Sequence, residues 1–306
     1  MRVLGLDGGG SKTLVAVASP SGQVIALSEG PGLDPTADHA WEARLMTLLQ
    51  PFAPVSAAML GLPCFSEIPA ISARQTGVAR SVLGMGAEVV NDVAVAYEGA
   101  LGGAEGVLLL SGTGSMAWAR GPMGVVRAGG WGDVFGDEGS AYWIGREALT
   151  RVSRHLDGRQ PSPVLAAGIL DALGIPGSGL IEWTYSHAQP RAAIAALARR
   201  VDDLSATEPD AADILSLAAA QLVELARAAA RASGQGPDLA WSFAGGAFRS
   251  AGLLREVTAG MGARPLSPRL PPVGGAVIAA ARRAGWRVDA RFITTLAASL
   301  AEKLQR

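Results

Sequence analysis

The chain carries a glycine-rich turn near its start whose residues suit phosphate binding. Residues 7–13 read Asp-Gly-Gly-Gly-Ser-Lys-Thr and follow a short apolar run. Glycine allows positive φ angles and lets backbone N–H groups approach an anion, while Ser11 and Thr13 add hydroxyl donors. The spacing excludes a Walker A loop, because Ser11 follows Gly10 where a lysine is required, and the third glycine of a dinucleotide fingerprint is absent. A glycine-rich hairpin without a ligand remains the alternative.

A second turn repeats this chemistry later in the chain. Residues 110–115, Leu-Ser-Gly-Thr-Gly-Ser, match residues 6–11 at four of six positions, and both segments lie between apolar runs typical of strands. The shared context indicates an internal repeat. Two donor-rich turns, one from each half of the chain, could together bind one polyphosphate.

Two aspartates in the first half of the chain are candidates for metal binding and for catalysis. Asp7 lies inside the first turn, where a carboxylate would repel phosphate unless a divalent cation lay between them, so the sequence implies Mg²⁺. Capping of the turn is the alternative. Asn91 and Asp92 end a predicted strand and begin a helix, which helix capping also explains. Strand carboxyl ends face the ligand crevice in open α/β sheets, so Asp92 is also the candidate base for phosphoryl transfer to an alcohol.

The most informative stretch is residues 129–145, which combines glycines with acidic and aromatic side chains. Asp137 and Glu138 stand before a predicted helix, whose dipole favours carboxylates at that end. Capping of this helix explains one of the two acidic residues. Two acids with Trp131 amid glycines suit a polyhydroxylated ligand, since carboxylates accept sugar hydroxyls and an aromatic face can cover a sugar ring. Residues 245–246, two glycines after the last predicted strand, are either a nucleoside contact or a tight turn.

These residues lie at the ends of elements that alternate between strand and helix. Over the first third of the chain the alternation predicts an α/β fold, with a largely parallel sheet covered by helices. We place the domain boundary so that the domains are 1–104 and 105–306, the second with a helical insertion at about 138–235. The apolar face of the final helix, 290–304, packs on its own domain, packs back on the N-terminal domain or contacts another subunit.

Composition excludes several classes of protein. The 306 residues carry a formal net charge of −1, which argues against a nucleic-acid partner bound through a broad basic field. The single cysteine excludes an internal disulfide and a four-thiolate metal site. No apolar segment is long and uncharged enough to span a membrane, and Asp7 interrupts the N-terminus before a signal-peptide run. The sequence therefore predicts a cytoplasmic protein without a membrane partner.

Taken in order, these motifs resemble those of the N-acetylglucosamine kinase family. They are the opening Asp-Gly-Gly-Gly-Ser-Lys-Thr, the Asn-Asp pair at 91–92, Ser-Gly-Thr-Gly-Ser at 111–115, the stretch 130–144, and Ala-Gly-Gly-Ala-Phe at 244–248. The resemblance runs from about residue 2 to residue 285. This family sits within the BadF/BadG/BcrA/BcrD-type ATPases, and the helical part also resembles the small archaeal hexokinases of that group. It implies the actin-like ATPase fold, a duplicated ribonuclease H-like arrangement of two domains around a cleft for ATP, Mg²⁺ and a sugar.

The resemblance, together with the residue types argued above, also implies roles for individual residues. Asp92 would be the catalytic base acting on the sugar hydroxyl, and Asp7 would hold Mg²⁺ through water. ATP would be contacted by Gly9, Gly10, Ser11, Lys12, Thr13, Gly112, Thr113, Gly114, Gly245 and Gly246. The sugar would be contacted by Asp34, Asn91, Asp92, Gly130, Trp131, Asp137 and Glu138. Relatives are commonly dimers, so the resemblance implies a homodimer.

One position departs from the family's pattern. Relatives usually carry an asparagine after the third strand that contacts the sugar, whereas this sequence offers Leu33, or Asp34 with a shift of one residue. The resemblance implies an ATP-dependent kinase acting on a hydroxyl, the 6-hydroxyl, of N-acetylglucosamine or a related sugar. A glucosamine kinase and a broad-specificity hexokinase or glucokinase are the alternatives. Alternatives from other classes are a non-catalytic sugar sensor and an activator ATPase, which would need a cysteine-ligated cluster.

Overall fold

The computed structural model describes residues 1–10, 12–36, 38–187, 189–236 and 239–305, and the chain divides into two α/β units. The first unit comprises Met1–Ala104 and the chain from Ser267 onward, and the second comprises Glu105–Leu266. The strands are β1 (Val3–Gly8), β2 (Lys12–Ala18), β3 (Val24–Pro31), β4 (Ala57–Leu62), β5 (Ala87–Asn91), β6 (Gly106–Ser111), β7 (Ser115–Gly121), β8 (Gly124–Gly129) and β9 (Trp241–Ala244). The α-helices are α1 (Trp41–Leu49), α2 (Pro69–Leu83), α3 (Asp92–Leu101), α4 (Ala141–Leu156), α5 (Pro163–Leu173), α6 (Leu180–Ser186), α7 (Pro190–Ala196), α8 (Ala198–Leu204), α9 (Pro209–Ala232), α10 (Ala251–Met261), α11 (Pro272–Arg283) and α12 (Ala290–Leu304). Short 3-10 turns lie at Gln50–Phe52, Gly177–Gly179 and Gly246–Arg249.

The first unit is built on a sheet with the strand order β3-β2-β1-β4-β5. β1 pairs antiparallel with β2 and parallel with β4, which in turn pairs parallel with β5. All residues of β4 are buried, as expected for a strand covered on both faces. The parallel pairing brings the carboxyl ends of β1, β4 and β5 to one edge of the sheet, and Asp7, Leu62 and Asn91 lie at or next to those ends.

Helix α11 packs against α3 and β1 through glycines. A Cβ on Gly275 would lie 2.1 Å from the carbonyl oxygen of Val95, and a Cβ on Gly5 would lie 2.5 Å from the backbone nitrogen of Val277. No side chain fits at either position, because backbone atoms of the neighbouring element occupy the space. These glycines allow close packing of helix on helix and of helix on strand.

The chain from residue 267 onward belongs with the first unit, whereas the sequence assigned residues 105–306 to the second domain and gave packing on the N-terminal domain as one alternative for the final helix. Burial explains the difference, because the apolar faces of α11 and α12 share one buried cluster with β1, β2 and β4. Helix α12 is also bonded to the start of β3, where the N–H of Val24 donates to Ser299 Oγ at 3.0 Å. An apolar helix face in a sequence does not specify which of two sheets it covers.

The second unit contains a sheet with the strand order β8-β7-β6-β9. β6 pairs antiparallel with β7 and parallel with β9. This arrangement repeats the β3-β2-β1-β4 part of the first sheet. The two glycine-rich turns found in the sequence join corresponding strand pairs, β1–β2 and β6–β7, so the internal repeat is a repeat of structure.

Helices α4 to α9 separate β8 from β9 in the chain, and α9 contacts strands β6, β7 and β8 of the second sheet. The long helix α9 buries one face, including Ile214, Ala218 and Leu222, and that face contacts β6 and β7. Helices α4 and α7 approach closely, because a Cβ on Gly145 would lie 2.0 Å from the carbonyl oxygen of Ile194. Helix α7 is therefore fixed against α4.

Across the described ranges, no single helix has both the length and the hydropathy needed to cross a membrane. Helix α5 and the adjoining segment Gly177–Ser186 meet those criteria only as a pair, with a bend of 61° between them. In the second unit α5 buries Leu165, Ala166 and Ile169 in the core.

Candidate active-site residues

Asp92 occupies the first position of α3, at the carboxyl edge of the first sheet. Its Oδ1 accepts the N–H of Val93 at 2.9 Å, at a helix terminus whose dipole favours negative charge. The pKa of Asp92 is raised to about 6, chiefly by burial and also by the carboxylates of Glu67 and Asp34, while the hydrogen bond from the Val93 N–H opposes the rise. Asp92 is therefore charged at neutral pH while being more basic than an ordinary aspartate.

Asn91 precedes Asp92 and uses both ends of its amide within the protein. Its Oδ1 accepts the N–H of Val93 at 3.0 Å and so caps α3. Its Nδ2 donates to the carbonyl oxygen of Phe65 at 3.1 Å, which ties the loop after β4 to the start of α3. The sequence placed Asn91 at the sugar, and the structure shows a buried amide that fixes the backbone on which Asp92 stands.

Asp7 lies next to the end of β1, and the charge of Asp92 affects its pKa. Burial raises the pKa of Asp7 to about 7, and the carboxylate of Asp92 is the second cause. A cation would relieve this repulsion, and Mg²⁺ is commonly held by one or two carboxylates together with water and substrate phosphates. Within the described ranges no three His, Cys, Asp or Glu side chains form a metal site by themselves. Asp7 thus fits a Mg²⁺ that also takes ligands from water and phosphate.

The turn between β1 and β2 is closed by backbone hydrogen bonds. The N–H of Gly9 donates to the carbonyl oxygen of Lys12 at 2.9 Å, and the carbonyl oxygen of Gly9 accepts the N–H of Leu33 at 3.0 Å. A Cβ on Gly10 would meet no atom within 4 Å, so the turn is open at that residue. Ser11, predicted as a phosphate donor, lies outside the described residues.

Two polar side chains of this turn already have protein partners. The ammonium group of Lys12 lies 2.6 Å from the carboxylate of Glu29, and both side chains are exposed. The hydroxyl of the buried Thr13 donates to the carbonyl oxygen of Pro31 at 2.8 Å. Lys12 and Thr13 were predicted to contact phosphate. An exposed ion pair such as that of Lys12 with Glu29 is weak, so the lysine can exchange Glu29 for a phosphate at a small cost in free energy. The hydroxyl proton of Thr13, by contrast, is already donated to Pro31.

Leu33 and Asp34 are the two residues that could stand where relatives carry a sugar-contacting asparagine, and Leu33 belongs to the core. Its side chain is fully buried, which leaves Asp34 as the candidate for a sugar contact. Asp34 Oδ1 accepts the N–H of Thr36 at 2.8 Å and the hydroxyl of Thr36 at 2.7 Å. Its charge contributes to the raised pKa of Asp92, so the two carboxylates share one region of the first unit.

The loop after β4 adds residues that the sequence did not assign to the site. Cys64, with φ 62°, and Ser66, with φ 67°, adopt left-handed backbone conformations that are rare for residues other than glycine. Such conformations concentrate at functional sites. Burial, followed by the charges of Asp34, Glu67 and Asp92, raises the pKa of the Cys64 thiol to about 11. Only the location of this loop in the sequence could have indicated a role, because it follows a buried strand at the same sheet edge as Asp92.

The turn between β6 and β7 is bonded to the segment that precedes α4. The N–H of Gly112 donates to the carbonyl oxygen of Gly114 at 2.9 Å, and Ser111 Oγ donates to the carbonyl oxygen of Gly139 at 2.9 Å. A Cβ on Gly112 would meet no atom within 4 Å, and Thr113 is exposed. The turn is thus fixed from within and open on its outer side.

Gly245 reaches the same turn from the end of β9. Its φ is +105°, and a Cβ there would lie 2.2 Å from the carbonyl oxygen of Ser111 and 2.9 Å from the nitrogen of Gly112. Only glycine fits this approach. Around Gly246 a Cβ would meet no atom within 4 Å. The predicted adenosine contact and the second predicted phosphate turn therefore lie side by side in the second unit.

Asp137 is buried against the turn between β6 and β7, with only 3% of its surface exposed. Its Oδ1 accepts the N–H of Ser115 at 3.2 Å, and its Oδ2 accepts a hydrogen bond from Arg191 Nη2 at 2.5 Å. A Cβ on Gly114 would lie 2.7 Å from Oδ1. The sequence placed Asp137 at the sugar hydroxyls and did not single out Arg191. That arginine is 54 residues away and no local pattern marks it.

The remaining predicted sugar contacts lie around the same segment. Trp131 is 64% exposed, and the guanidinium carbon of Arg127 lies 5.2 Å from its ring centroid. The N–H of Gly130 donates to the carbonyl oxygen of Ser115 at 3.0 Å, and the Ser115 hydroxyl donates to the carbonyl oxygen of Glu138 at 2.7 Å. The backbones of Gly130 and Glu138 support β7, and the Trp131 ring is available to a ligand.

Candidate site residues of both units fall within one family match, which decides the affiliation. Residues 66–280 match the model of the BadF/BadG/BcrA/BcrD ATPase family, a range that includes Asp92, Asp137 and Gly245. The chain belongs to the BadF/BadG/BcrA/BcrD ATPase family. The turn between β1 and β2, with Asp7, lies before the matched range.

Two known proteins are similar to this BadF/BadG/BcrA/BcrD family chain. The N-acetylmuramic acid/N-acetylglucosamine kinase of Clostridium acetobutylicum is 32% identical over 216 residues, which is 65% of this chain and 69% of that protein. The N-acetyl-D-glucosamine kinase of Dictyostelium discoideum is 37% identical over 98 residues, which is 31% of each chain. The first similarity extends over most of both chains and the second over less than a third.

Solved structures agree with the fold of this BadF/BadG/BcrA/BcrD family member. A proposed N-acetylglucosamine kinase from Chromobacterium violaceum superposes with a TM-score of 0.75 at 28% identity, covering 90% of this chain and 98% of that one. A ROK family glucokinase from Streptomyces griseus, solved with glucose and AMPPNP, gives a TM-score of 0.57 at 17% identity, covering 92% and 98%. At that identity the likeness concerns the fold alone. The predicted actin-like ATPase fold is confirmed.

Proposed function

We propose that the chain transfers the γ-phosphate of ATP to the 6-hydroxyl of N-acetylglucosamine or a closely related amino sugar. The enzyme class, an ATP-dependent sugar kinase, rests on the family match and the similar kinases. The sugar, the hydroxyl and the residue roles are the content of the proposal. The observation that carries it is Asp92, a half-buried carboxylate at a helix N-terminus on the carboxyl edge of a parallel sheet.

Asp92 is proposed as the residue that orients the attacking hydroxyl and takes its proton. As the new oxygen–phosphorus bond forms and the bond to the β,γ-bridging oxygen breaks, the hydroxyl proton moves to the Asp92 carboxylate. Burial raises the pKa of this carboxyl to about 6, which makes it a better proton acceptor than a solvated aspartate while leaving it ionised at pH 7. Asn91 holds the backbone at this point through its bonds to Val93 and Phe65.

The nucleotide contacts are proposed from open glycine positions. In the second unit, the turn that ends at Gly114 is open at Gly112 and exposed at Thr113, which suits phosphate, and Gly246 leaves room for adenosine. In the first unit, the turn at Gly10 is equally open. Mg²⁺, when bound, supplies positive charge that neutralises the phosphate oxygens, and Asp7 is the residue proposed to hold it.

The choice of sugar depends on Asp34. Its Oδ1 already accepts two hydrogen bonds from Thr36, and a carboxylate can only accept. An asparagine at this place could donate to an acetyl oxygen, whereas Asp34 suits a hydroxyl or an amine. This observation favours glucosamine or glucose as the second candidate substrate. N-acetylmuramic acid, named for the Clostridium acetobutylicum relative, carries a carboxylate that Asp34 would repel.

A sugar panel tests the proposal. Sugar-dependent ADP release is measured with N-acetylglucosamine, N-acetylmuramic acid, glucosamine and glucose, and the product is assigned by phosphorus–proton correlation in NMR spectra. We expect the highest kcat/KM with an amino sugar and the phosphate on the oxygen of C6. Absence of sugar-dependent ADP release across the panel would contradict the proposal. A product phosphorylated at C1 would contradict the proposed hydroxyl.

The activator ATPase is the alternative from another class. Such a protein would need Cys64 to ligate an iron–sulfur cluster together with a second copy of the chain. Metal ligation requires a thiolate, and burial with three nearby carboxylates raises the pKa of the Cys64 thiol to about 11. This environment disfavours the ligating form, so the kinase remains the better supported function.

A further inference from the structure

We infer that Arg191 is a positioning residue that, through Asp137, holds the turn between β6 and β7 in the shape that binds the phosphates of ATP. The inference rests on the proposed function, because it assigns that turn to the nucleotide. It concerns a residue of the helical region that no sequence motif includes. It also gives Asp137 a task at the nucleotide instead of the sugar.

The contact between the two residues neutralises a buried charge. Asp137 is 3% exposed and has φ +57°, a left-handed conformation that aspartate tolerates better than most residues. Its Oδ2 accepts from Arg191 Nη2 at 2.5 Å, and Arg191 Nε lies 3.6 Å from Oδ1 of Asp133. A buried carboxylate without a neighbouring cation is unfavourable in free energy. Loss of Arg191 should therefore displace the Asp137 side chain or the segment that precedes α4.

Any displacement of Asp137 would reach the turn directly. Its other oxygen, Oδ1, accepts the N–H of Ser115, the residue that ends the turn and begins β7. A Cβ on Gly114 would lie only 2.7 Å from this oxygen, so the carboxylate and the turn are in contact. The Ser115 hydroxyl donates to the carbonyl oxygen of Glu138 at 2.7 Å, which couples the turn to the same segment a second time. The conformation of the turn therefore depends on where Asp137 lies.

Helix α7, which carries Arg191, is held in place by close packing against α4. The residue follows Pro190 at the start of the helix, and Ile194 and Ala195 bury the opposite end in the core. The backbones of α7 and α4 meet where a Cβ on Gly145 would lie 2.0 Å from the carbonyl oxygen of Ile194. The guanidinium is thus placed by two packed helices, although 44% of its side-chain surface is exposed.

The test compares nucleotide and sugar affinities in Arg191→Gln, Arg191→Lys and a control, Arg199→Gln. Arg199 lies on the neighbouring helix α8 and is exposed. Binding of MgADP is measured by titration calorimetry without sugar, and kcat and both KM values are measured at steady state. We expect Arg191→Gln to weaken MgADP binding and raise the KM for ATP about tenfold, with the KM for sugar within about twofold of wild type. Arg191→Lys should recover part of the loss, and Arg199→Gln should match wild type.

A double-mutant cycle separates positioning from general damage. Asp137→Asn keeps an oxygen for the Ser115 N–H and loses the charge pair, so it should resemble Arg191→Gln, and the double variant should be no worse than either. Unchanged MgADP binding in Arg191→Gln would overturn the inference, as would a rise confined to the KM for sugar. A wild-type protein that bound no MgADP would overturn the proposed function itself. Thermal melting of each variant excludes unfolding as the cause.

Discussion

The amide of Asn91 donates from Nδ2 to the carbonyl oxygen of Phe65 at 3.1 Å. This bond joins the end of β5 to the loop after β4, and the Oδ1 of the same side chain caps α3. The backbone that carries the proposed base, Asp92, is therefore fixed from two directions by one buried side chain. We therefore expect Asn91 to affect the reaction by holding Asp92 in position.

Replacing Asn91 tests that role. Asn91→Ala should lower the free energy of unfolding by about 2 kcal/mol, from the lost cap and the lost buried hydrogen bond, and lower kcat about a hundredfold through misplacement of Asp92. Urea melts and steady-state kinetics measure the two effects. Asp289→Ala is the matched control, because Asp289 caps α12 through the N–H of Phe292 at 3.0 Å and has no proposed part in the site. It should lower the free energy of unfolding by less than Asn91→Ala does, because only a cap is lost, and leave kcat unchanged. Equal kcat losses in both variants would contradict the assignment.

The stability of the protein should depend on the ionisation of Asp92. Its pKa is raised from 3.8 to about 6 in the folded state, so between these values the folded state binds more protons and stability falls as the pH rises. In EDTA, Asp92→Asn should be more stable than wild type by up to about 3 kcal/mol at pH 8, a difference that shrinks towards pH 4. Urea melts at both pH values provide the measurement. A difference that does not change with pH would count against this electrostatic account.

Glycine at position 275 should be essential for packing in the first unit. Gly275→Ala places a Cβ against backbone atoms of Val95 and Gly99, which cannot move without shifting α3. We expect a loss of about 3 kcal/mol in the free energy of unfolding. Gly77→Ala in α2 is the control, because a Cβ there meets no atom within 4 Å. It should stabilise the protein by up to about 1 kcal/mol. Similar unfolding curves for the two variants would show that α11 does not pack as described.

Cys64 should react slowly with thiol reagents because its pKa is raised from 9.0 to about 11. At pH 8 the thiolate fraction, and with it the rate of alkylation by iodoacetamide, should be about a hundredfold below that of an unperturbed thiol. The chain has one cysteine, so mass spectrometry of the intact protein reads the reaction directly. Asp34→Asn removes the largest of the carboxylate contributions and should accelerate alkylation. No acceleration would mean that Asp34 does not face the Cys64 loop.

Local signals were enough to predict the α/β class and the internal repeat, whereas the actin-like ATPase fold was implied by the resemblance to a known family. The alternation of strands and helices and the two similar glycine-rich turns anticipated the duplicated fold, because both depend on short segments. The position of Asp92 followed from the general rule for strand ends. Whether Asp92, Asp7 and the glycine turns perform the proposed roles stays a prediction.

Long-range contacts could not be predicted from the sequence. The pairing of Arg191 with Asp137 joins residues 54 positions apart, and nothing in either segment specifies it. The choice between Leu33 and Asp34 depended on which side chain the core buries, and Leu33 is the buried one. The packing of α11 on α3 depended on the close approach allowed by Gly275, and a glycine in a sequence does not distinguish such packing from a ligand contact.

The central claim is that Asp92 serves as the base of a sugar kinase, and one comparison tests it most directly. Sugar-dependent ADP release is measured for wild type and Asp92→Asn with the best sugar of the panel, alongside calorimetric binding of MgADP. We predict that Asp92→Asn lowers kcat by about a thousandfold and binds MgADP as wild type does, because the variant loses only the proton acceptor. Turnover of Asp92→Asn within about tenfold of wild type would contradict the claim and remove Asp92 from the mechanism.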